Sequence, residues 1–246
     1  MLVTFEGLDG SGKSSLMHAV AVGLRSQLSE HVTQLPDISQ SPTGHRLKEV
    51  FGADSLFGQG IAAATVTSRC LATAADLLYF DAALIAPMVA AGGIVLKERH
   101  VDTLFSHQGP ALAARLNWPE QRAHQWLTSV VGPLQVWPQL TILVEAPRAH
   151  RERRLRERSA AQATQLGGAE LAIDRAVFRI RARWYAQLRS QDENRWVSIA
   201  NPDGGLSRAA SQAIAEIIGR HADHSPLPAP GKRHSWNSMR RSRLTS

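Results

Sequence analysis

Leu2-Val3-Thr4-Phe5-Glu6, followed by Gly7-Leu8-Asp9-Gly10-Ser11-Gly12-Lys13-Ser14, is the stretch from which the rest of the chain is read. The first five residues are a short apolar run with the length of a buried strand. The next eight fit the spacing G-x-x-x-x-G-K-[ST], and a helical pattern continues from about Lys13 to Leu28. Glycines in such a loop let the backbone curl until successive N–H groups point at one anion. The helix that follows turns the positive end of its dipole to the same point. Lys13 can then bridge the outer phosphates of a nucleotide, and the Ser14 hydroxyl can ligate Mg²⁺.

Outward from this loop, apolar runs alternate with helical stretches. His31 to Leu35, Gly93 to Lys97, Leu140 to Val144 and Trp196 to Ile199 read as further strands. A short helix follows Pro42 and Gly44, and a long Ala-rich stretch runs from about Ile61 to Ala91. Further helices are expected after Val144, over about Gly168 to Leu188, and to an end near Gly219. Strands separated by helices pair in parallel through right-handed crossovers. The expected fold is therefore a three-layer α/β P-loop NTPase fold. It has a parallel sheet of about five strands, helices on both faces, and a short arginine-rich lid at about 148–168. The domain is expected to span 1–222. Residues 223–246, opened by Pro226, Pro228, Pro230 and Gly231, are expected to be a basic, disordered tail.

Composition narrows the classes. With 43% hydrophobic and 20% charged residues among 246, the chain can bury a large core. The longest apolar run, Leu84 to Leu96, is interrupted by Pro87, Gly92 and Gly93, so no membrane span is expected. The strand-like start argues against a secretory signal, and the lone Cys70 suits a reducing cytoplasm. Five of the seven net positive charges lie in 231–246, so the basic excess belongs to the tail. Contact of that tail with nucleic acid is the less favoured reading beside a solvated extension. The phosphate loop does not by itself choose between kinase, GTPase and ATPase. A GTPase needs an Asn-Lys-x-Asp reader, and Asn201-Pro202-Asp203-Gly204 lacks the lysine.

Phe5-Glu6-Gly7-Leu8-Asp9-Gly10-Ser11-Gly12-Lys13-Ser14-Ser15 and Glu98-Arg99-His100 through His107-Gln108-Gly109 resemble bacterial thymidylate kinases. So do Glu145-Ala146-Pro147 and the arginines of 153–158, and the likeness extends over roughly residues 2–220. The resemblance implies transfer of the γ-phosphoryl group of ATP, with Mg²⁺, from the loop to a nucleoside monophosphate, most simply dTMP to dTDP. It implies ATP contacts from Gly7, Asp9, Gly10, Ser11, Gly12, Lys13, Ser14, Ser15 and Arg154. Ser14 and Glu98 are implied for the metal, Glu98 standing where the family carries aspartate. Asp9, Asp37, Arg69, Arg99 and Gln108 are implied for the acceptor. Lys13, Glu98, Arg99, Arg154 and Arg158 would carry the transfer, the last two closing over the moving group. The family's helix-mediated homodimers make the Ala-rich stretch before Pro87 a candidate dimer face.

The acceptor pocket departs from that pattern. Counting back from Pro87 places Thr73 and Leu77 where the family carries a stacking aromatic and a base-reading arginine. Leucine donates no hydrogen bond and threonine offers little stacking surface. His107 replaces a tyrosine, whereas Gln108 remains. Two alternatives stay open beside dTMP phosphorylation. One is a related kinase acting on another nucleotide or small molecule, and the other is a non-catalytic nucleotide-binding module. The stripe Arg175, Arg179 and Arg183 reads as a solvated face, and Trp184 with Tyr185 as packing residues.

Overall fold

The computed structural model describes residues 1–28, 31–45, 47, 63–161 and 168–223, with the side chains of 63–65, 158–161, 168–175 and 223 outside that description. Five strands form one sheet: β1 (Leu2–Glu6), β2 (Val32–Leu35), β3 (Ile94–Glu98), β4 (Leu140–Glu145) and β5 (Trp196–Ala200). Every pairing is parallel, in the order β2-β3-β1-β4-β5. The strands expected from the apolar runs are all present, because a run such as Leu2 to Glu6 is buried on both faces and has no polar side to expose.

The helices are α1 (Lys13–Gln27), α2 (Ala63–Phe80), α3 (Ala86–Ala90), α4 (Val101–Arg115), α5 (Glu120–Val130), α6 (Arg148–Ala161), α7 (Gly168–Gln191) and α8 (Leu206–Asp223). A helical turn also covers 42–45. α2 passes into α3 through a π-helical turn, Asp81–Ile85, immediately before Pro87. Proline cannot donate to the preceding turn, and a wider turn there absorbs the mismatch. The Asp81 carboxylate fixes this point by accepting the N–H groups of Gln135 (2.7 Å) and Val136 (3.0 Å).

Two helical layers enclose the sheet. α1 and α8 cover one face, where Leu16, Val20 and Leu24 meet Val3, Ile142, Ala213 and Ile217. α2, α4, α5 and α7 cover the other, with Leu77, Leu104, Leu112, Leu127 and Trp184 in one cluster. The expected three-layer architecture is thus present. Residues 162–167 of the expected lid, and 224–246 of the expected tail, lie outside the described residues.

Val66–Ala90, with a mean hydropathy of 1.4, is long and apolar enough to span a membrane by length and composition. The expectation of no span rests on the interrupted run at Leu84–Leu96, and Val66–Ala90 is a longer stretch that includes only part of it. In the fold, this helix buries Cys70, Ala74 and Leu77 in the cluster it shares with α4, and it carries the buried carboxylates Asp76 and Asp81. That is the packing of a core helix.

Close approach of α4 to α7 depends on Gly109. A Cβ built there overlaps the six-membered ring of Trp184, which is 2% exposed and has nowhere to move. Gly109→Ala is therefore expected to destabilise the protein by about 2–3 kcal/mol, within the range seen for overpacking a dense core. Thermal or urea denaturation measures this, and an unchanged midpoint would contradict the packing described.

Candidate active site

β1 sits between β3 and β4, so the loop leaving its C-terminal end lies beside the C-terminal end of β3. The register pairs Phe5 with Glu98, and Arg99 N–H donates to the Phe5 carbonyl at 3.0 Å. The glycine loop and the Glu98-Arg99 pair therefore open on one edge of the sheet, where the chain order reverses and ligands of open α/β sheets collect.

The loop has the backbone that its glycines suggest. Gly10 (φ 78°) and Gly12 (φ 88°) are left-handed, and Gly12 directly precedes α1. A side chain at Gly12 would strike the Asn201 amide. Asn201 holds the loop from behind, its Nδ2 donating to the Ser11 carbonyl at 2.9 Å. Lys13 is 5% exposed and its Nζ donates to the Leu8 carbonyl at 3.2 Å. Burial, together with the nearby Arg99, pushes its ammonium down to about 8. The Ser11 hydroxyl is buried with no hydrogen-bond partner among the described residues. Ser15 is exposed on the first turn of α1.

The Ser14 hydroxyl donates to Glu98 Oε1 at 2.8 Å, so the two expected metal ligands are neighbours. One hydroxyl and one carboxylate beside a phosphate cradle are the hard, sparse oxygen set that suits Mg²⁺, which takes its other ligands from phosphates and water. The longer glutamate side chain in place of aspartate still reaches Ser14.

Arg99 begins the β3–α4 turn in a left-handed conformation (φ 54°), which costs a non-glycine residue roughly 1 kcal/mol. It is held there by its partners. Its Nη2 donates to Asp9, its Nε lies 3.3 Å from Asp37, and its Nη1 lies 3.1 Å from His107 Nε2. Burial and then the Arg181 and Arg99 charges hold the His107 imidazole well below its usual range, so it is neutral. Burial alone would raise the Asp9 carboxyl, but the charges of Arg99, then Lys13 and Arg181, hold it well below the carboxylate range.

Three residues absent from the sequence-based site complete this arrangement. Glu6, fully buried beneath the turn, accepts the His100 N–H (2.7 Å), the Thr103 hydroxyl and the Tyr185 hydroxyl (3.0 Å). Burial, with Asp102 nearby, pushes its carboxyl up to about 7. Lys97 donates to the carbonyls of Pro36 (2.9 Å) and Asp37 (3.0 Å), which fixes the loop that carries Asp37. Arg181 on α7, 7% exposed, places Nη1 3.4 Å from the second Asp9 oxygen.

From Arg99 and Asp9 a cavity of about 440 Å³ extends along α2 and α4. Arg69, Gln108 and Asp37 line it, as do Thr73 and Leu77, the two positions read as departures in base recognition. The Thr73 hydroxyl is turned back onto the Arg69 carbonyl (2.9 Å). Asp76, also on the wall, is engaged by the Ser39 N–H at 3.0 Å.

The lid arginines do not act together here. Arg154 braces the loop from outside, donating to the carbonyls of Gly10 (3.2 Å), Ser11 (3.1 Å) and Asn201 (3.0 Å), with Nε on Asp203 (3.1 Å). That set occupies its fork, so in this conformation it does not close over a transferring group as its spacing suggested. Arg151 stacks on the Phe178 ring at 4.9 Å. The side chain of Arg158 lies outside the described residues. Arg183 pairs with Glu120 on the surface, in keeping with a solvated stripe.

A phosphate loop carrying a buried lysine, facing an arginine-floored cavity from the adjacent strand end of a five-stranded parallel sheet, defines a P-loop kinase. No family model matches the sequence. The chain is 30% identical over 221 residues to the thymidylate kinase of Thermomicrobium roseum, covering 89% of this chain and 96% of that protein. It is 27% identical over 230 residues to the thymidylate kinase of Solidesulfovibrio magneticus, covering 89% and 99%. The crystal structure of thymidylate kinase from Ehrlichia chaffeensis shares the fold, with a TM-score of 0.59 at 17% identity, over 89% of this chain and 98% of that one. The chain belongs to the thymidylate kinase family.

Proposed function

We propose that the protein transfers the γ-phosphoryl group of ATP to the phosphate of a nucleoside monophosphate, dTMP foremost, forming dTDP. The observation that carries this reading is the pairing of two anion sites across one sheet edge, Lys13 in its loop and Arg99 at the head of the acceptor cavity. In the mechanism, the loop N–H groups and Lys13 hold the outer phosphates, while Ser14 and Glu98 would hold Mg²⁺. When bound, the metal offsets the charge of the triphosphate. Arg99 orients the acceptor phosphate, with Asp9 and Asp37 keeping its fork aimed. Phosphoryl transfer needs little covalent help from the protein, so placement and charge account for most of the acceleration. A cytoplasmic enzyme fits this reading: ATP and nucleotides meet there, and Cys70 is a buried free thiol pushed up to about 12 by that burial.

The base end of the cavity supports a broad acceptor range. Leu77 cannot donate to a base carbonyl, and discrimination among polar groups comes from buried partners. Incubation with ATP, Mg²⁺ and a panel of monophosphates tests both points, read as diphosphate formed. dTMP is expected to react, with dUMP within roughly 200-fold of it, since a missing methyl alters binding by only about 1–3 kcal/mol, or about 10- to 200-fold. Diphosphate from none of the panel would overturn the reading.

A further inference from the structure

Arg181 sits where a helix would normally place a hydrocarbon. On α7 the residues turned inward are Phe178, Trp184, Tyr185 and Leu188, and Arg181 shares their stripe. Burying a guanidinium costs several kcal/mol unless it is matched by charge and hydrogen bonds. Its match is Asp9 in the phosphate loop. The same carboxylate is already held by Arg99, so one carboxylate carries a guanidinium on each oxygen, Arg99 at Oδ1 and Arg181 at Oδ2. Both arginines line the cavity, less than one-tenth exposed.

Two guanidinium groups converging on one small anion at the head of a cavity have the geometry that grips a phosphate, whose several terminal oxygens accept forked donors. Building on the acceptor reading above, we propose that Arg181 is a second binder of the acceptor phosphate. Asp9 then serves as an internal placeholder anion that keeps Arg99 and Arg181 apart and aimed until that phosphate arrives. The consequence is selection by charge. An acceptor offering only a hydroxyl cannot draw either arginine from Asp9, whereas a phosphate dianion competes for both.

The test compares affinities for dTMP and for thymidine, which lacks the phosphate, in the wild-type protein and in R181Q and R181K, alongside KM for ATP. Loss of a charge-assisted contact predicts that R181Q binds dTMP about 10- to 100-fold more weakly, with thymidine affinity and KM for ATP unchanged. R181K, which keeps the charge but loses the fork, should fall in between and serves as the measurement if R181Q does not fold. Unchanged dTMP affinity in both variants, or equal weakening of dTMP and thymidine, would assign Arg181 to packing and overturn the proposal. A wild-type protein that binds no monophosphate would remove the acceptor reading itself, an outcome distinct from normal wild-type binding left intact by the variants.

Discussion

Replacing Lys13 with alanine is expected to lower kcat by at least about 10²- to 10³-fold, the cost of removing one preorganised donor from a charged transition state. Lys13 is the cation carried by the phosphate loop itself, and its neighbourhood explains why no other group substitutes. Arg154 is engaged by loop carbonyls and Asp203, and Arg99 and Arg181 are committed to Asp9 on the acceptor side. Folding should survive, because among the described residues the ammonium donates only to the Leu8 carbonyl, and its burial already pushes it down to about 8. Steady-state turnover with saturating ATP and dTMP, with a thermal melt as control, measures both quantities. Near-normal kcat in a folded Lys13→Ala variant would show that the loop does not carry the transfer.

The parts of this site that could be read from sequence are those fixed by short-range spacing. Gly7 to Ser14 works through its own backbone, and Glu98-Arg99 is placed by ending a strand that pairs with the one before the loop. Even Thr73 and Leu77, found by counting back from Pro87, do line the cavity, although the π-helical turn between them and Pro87 shifts the register. What stayed hidden depends on contacts far apart in the chain. Arg181 reaches Asp9 across 172 positions, and Tyr185 reaches Glu6 across 179. A signal for Arg181 is present in the sequence, since a charged residue on an otherwise apolar helical stripe needs a buried partner, whereas the arginines beside it are exposed. As a guanine reader, Asn201-Pro202-Asp203 fails for want of a lysine. Its role is mechanical, with Asn201 on the loop and Asp203 gathering His150, Arg153 and Arg154. Helices α4 and α5 are likewise absent from the elements expected from sequence, because their apolar faces meet each other and α7 rather than following a strand-defined pattern.

Arg99→Met is expected to raise KM for the acceptor by about 100-fold or more while leaving KM for ATP within a few-fold. The guanidinium is 8% exposed and holds three elements together: Asp9 of the loop, Asp37 after β2, and Thr103 with His107 on α4. Hydrogen bonds to charged groups each contribute about 1.5–3 kcal/mol, so losing a forked contact to a phosphate accounts for an effect of that size. Removing the cation also takes the Arg99 ion pair from Asp37 and one of two arginine ion pairs from Asp9, so some loss of stability should accompany it. Arg99→Lys separates the two effects. It restores charge beside both carboxylates, which should return stability, but a single ammonium cannot reproduce the fork, so the acceptor KM should stay at least about tenfold high. The left-handed backbone adds a further check. Arg99→Gly relieves roughly 1 kcal/mol of strain yet deletes the side chain, and it should match Arg99→Met in acceptor KM. If instead these variants raised KM for ATP and left the acceptor untouched, the cavity would have to be assigned to the other substrate.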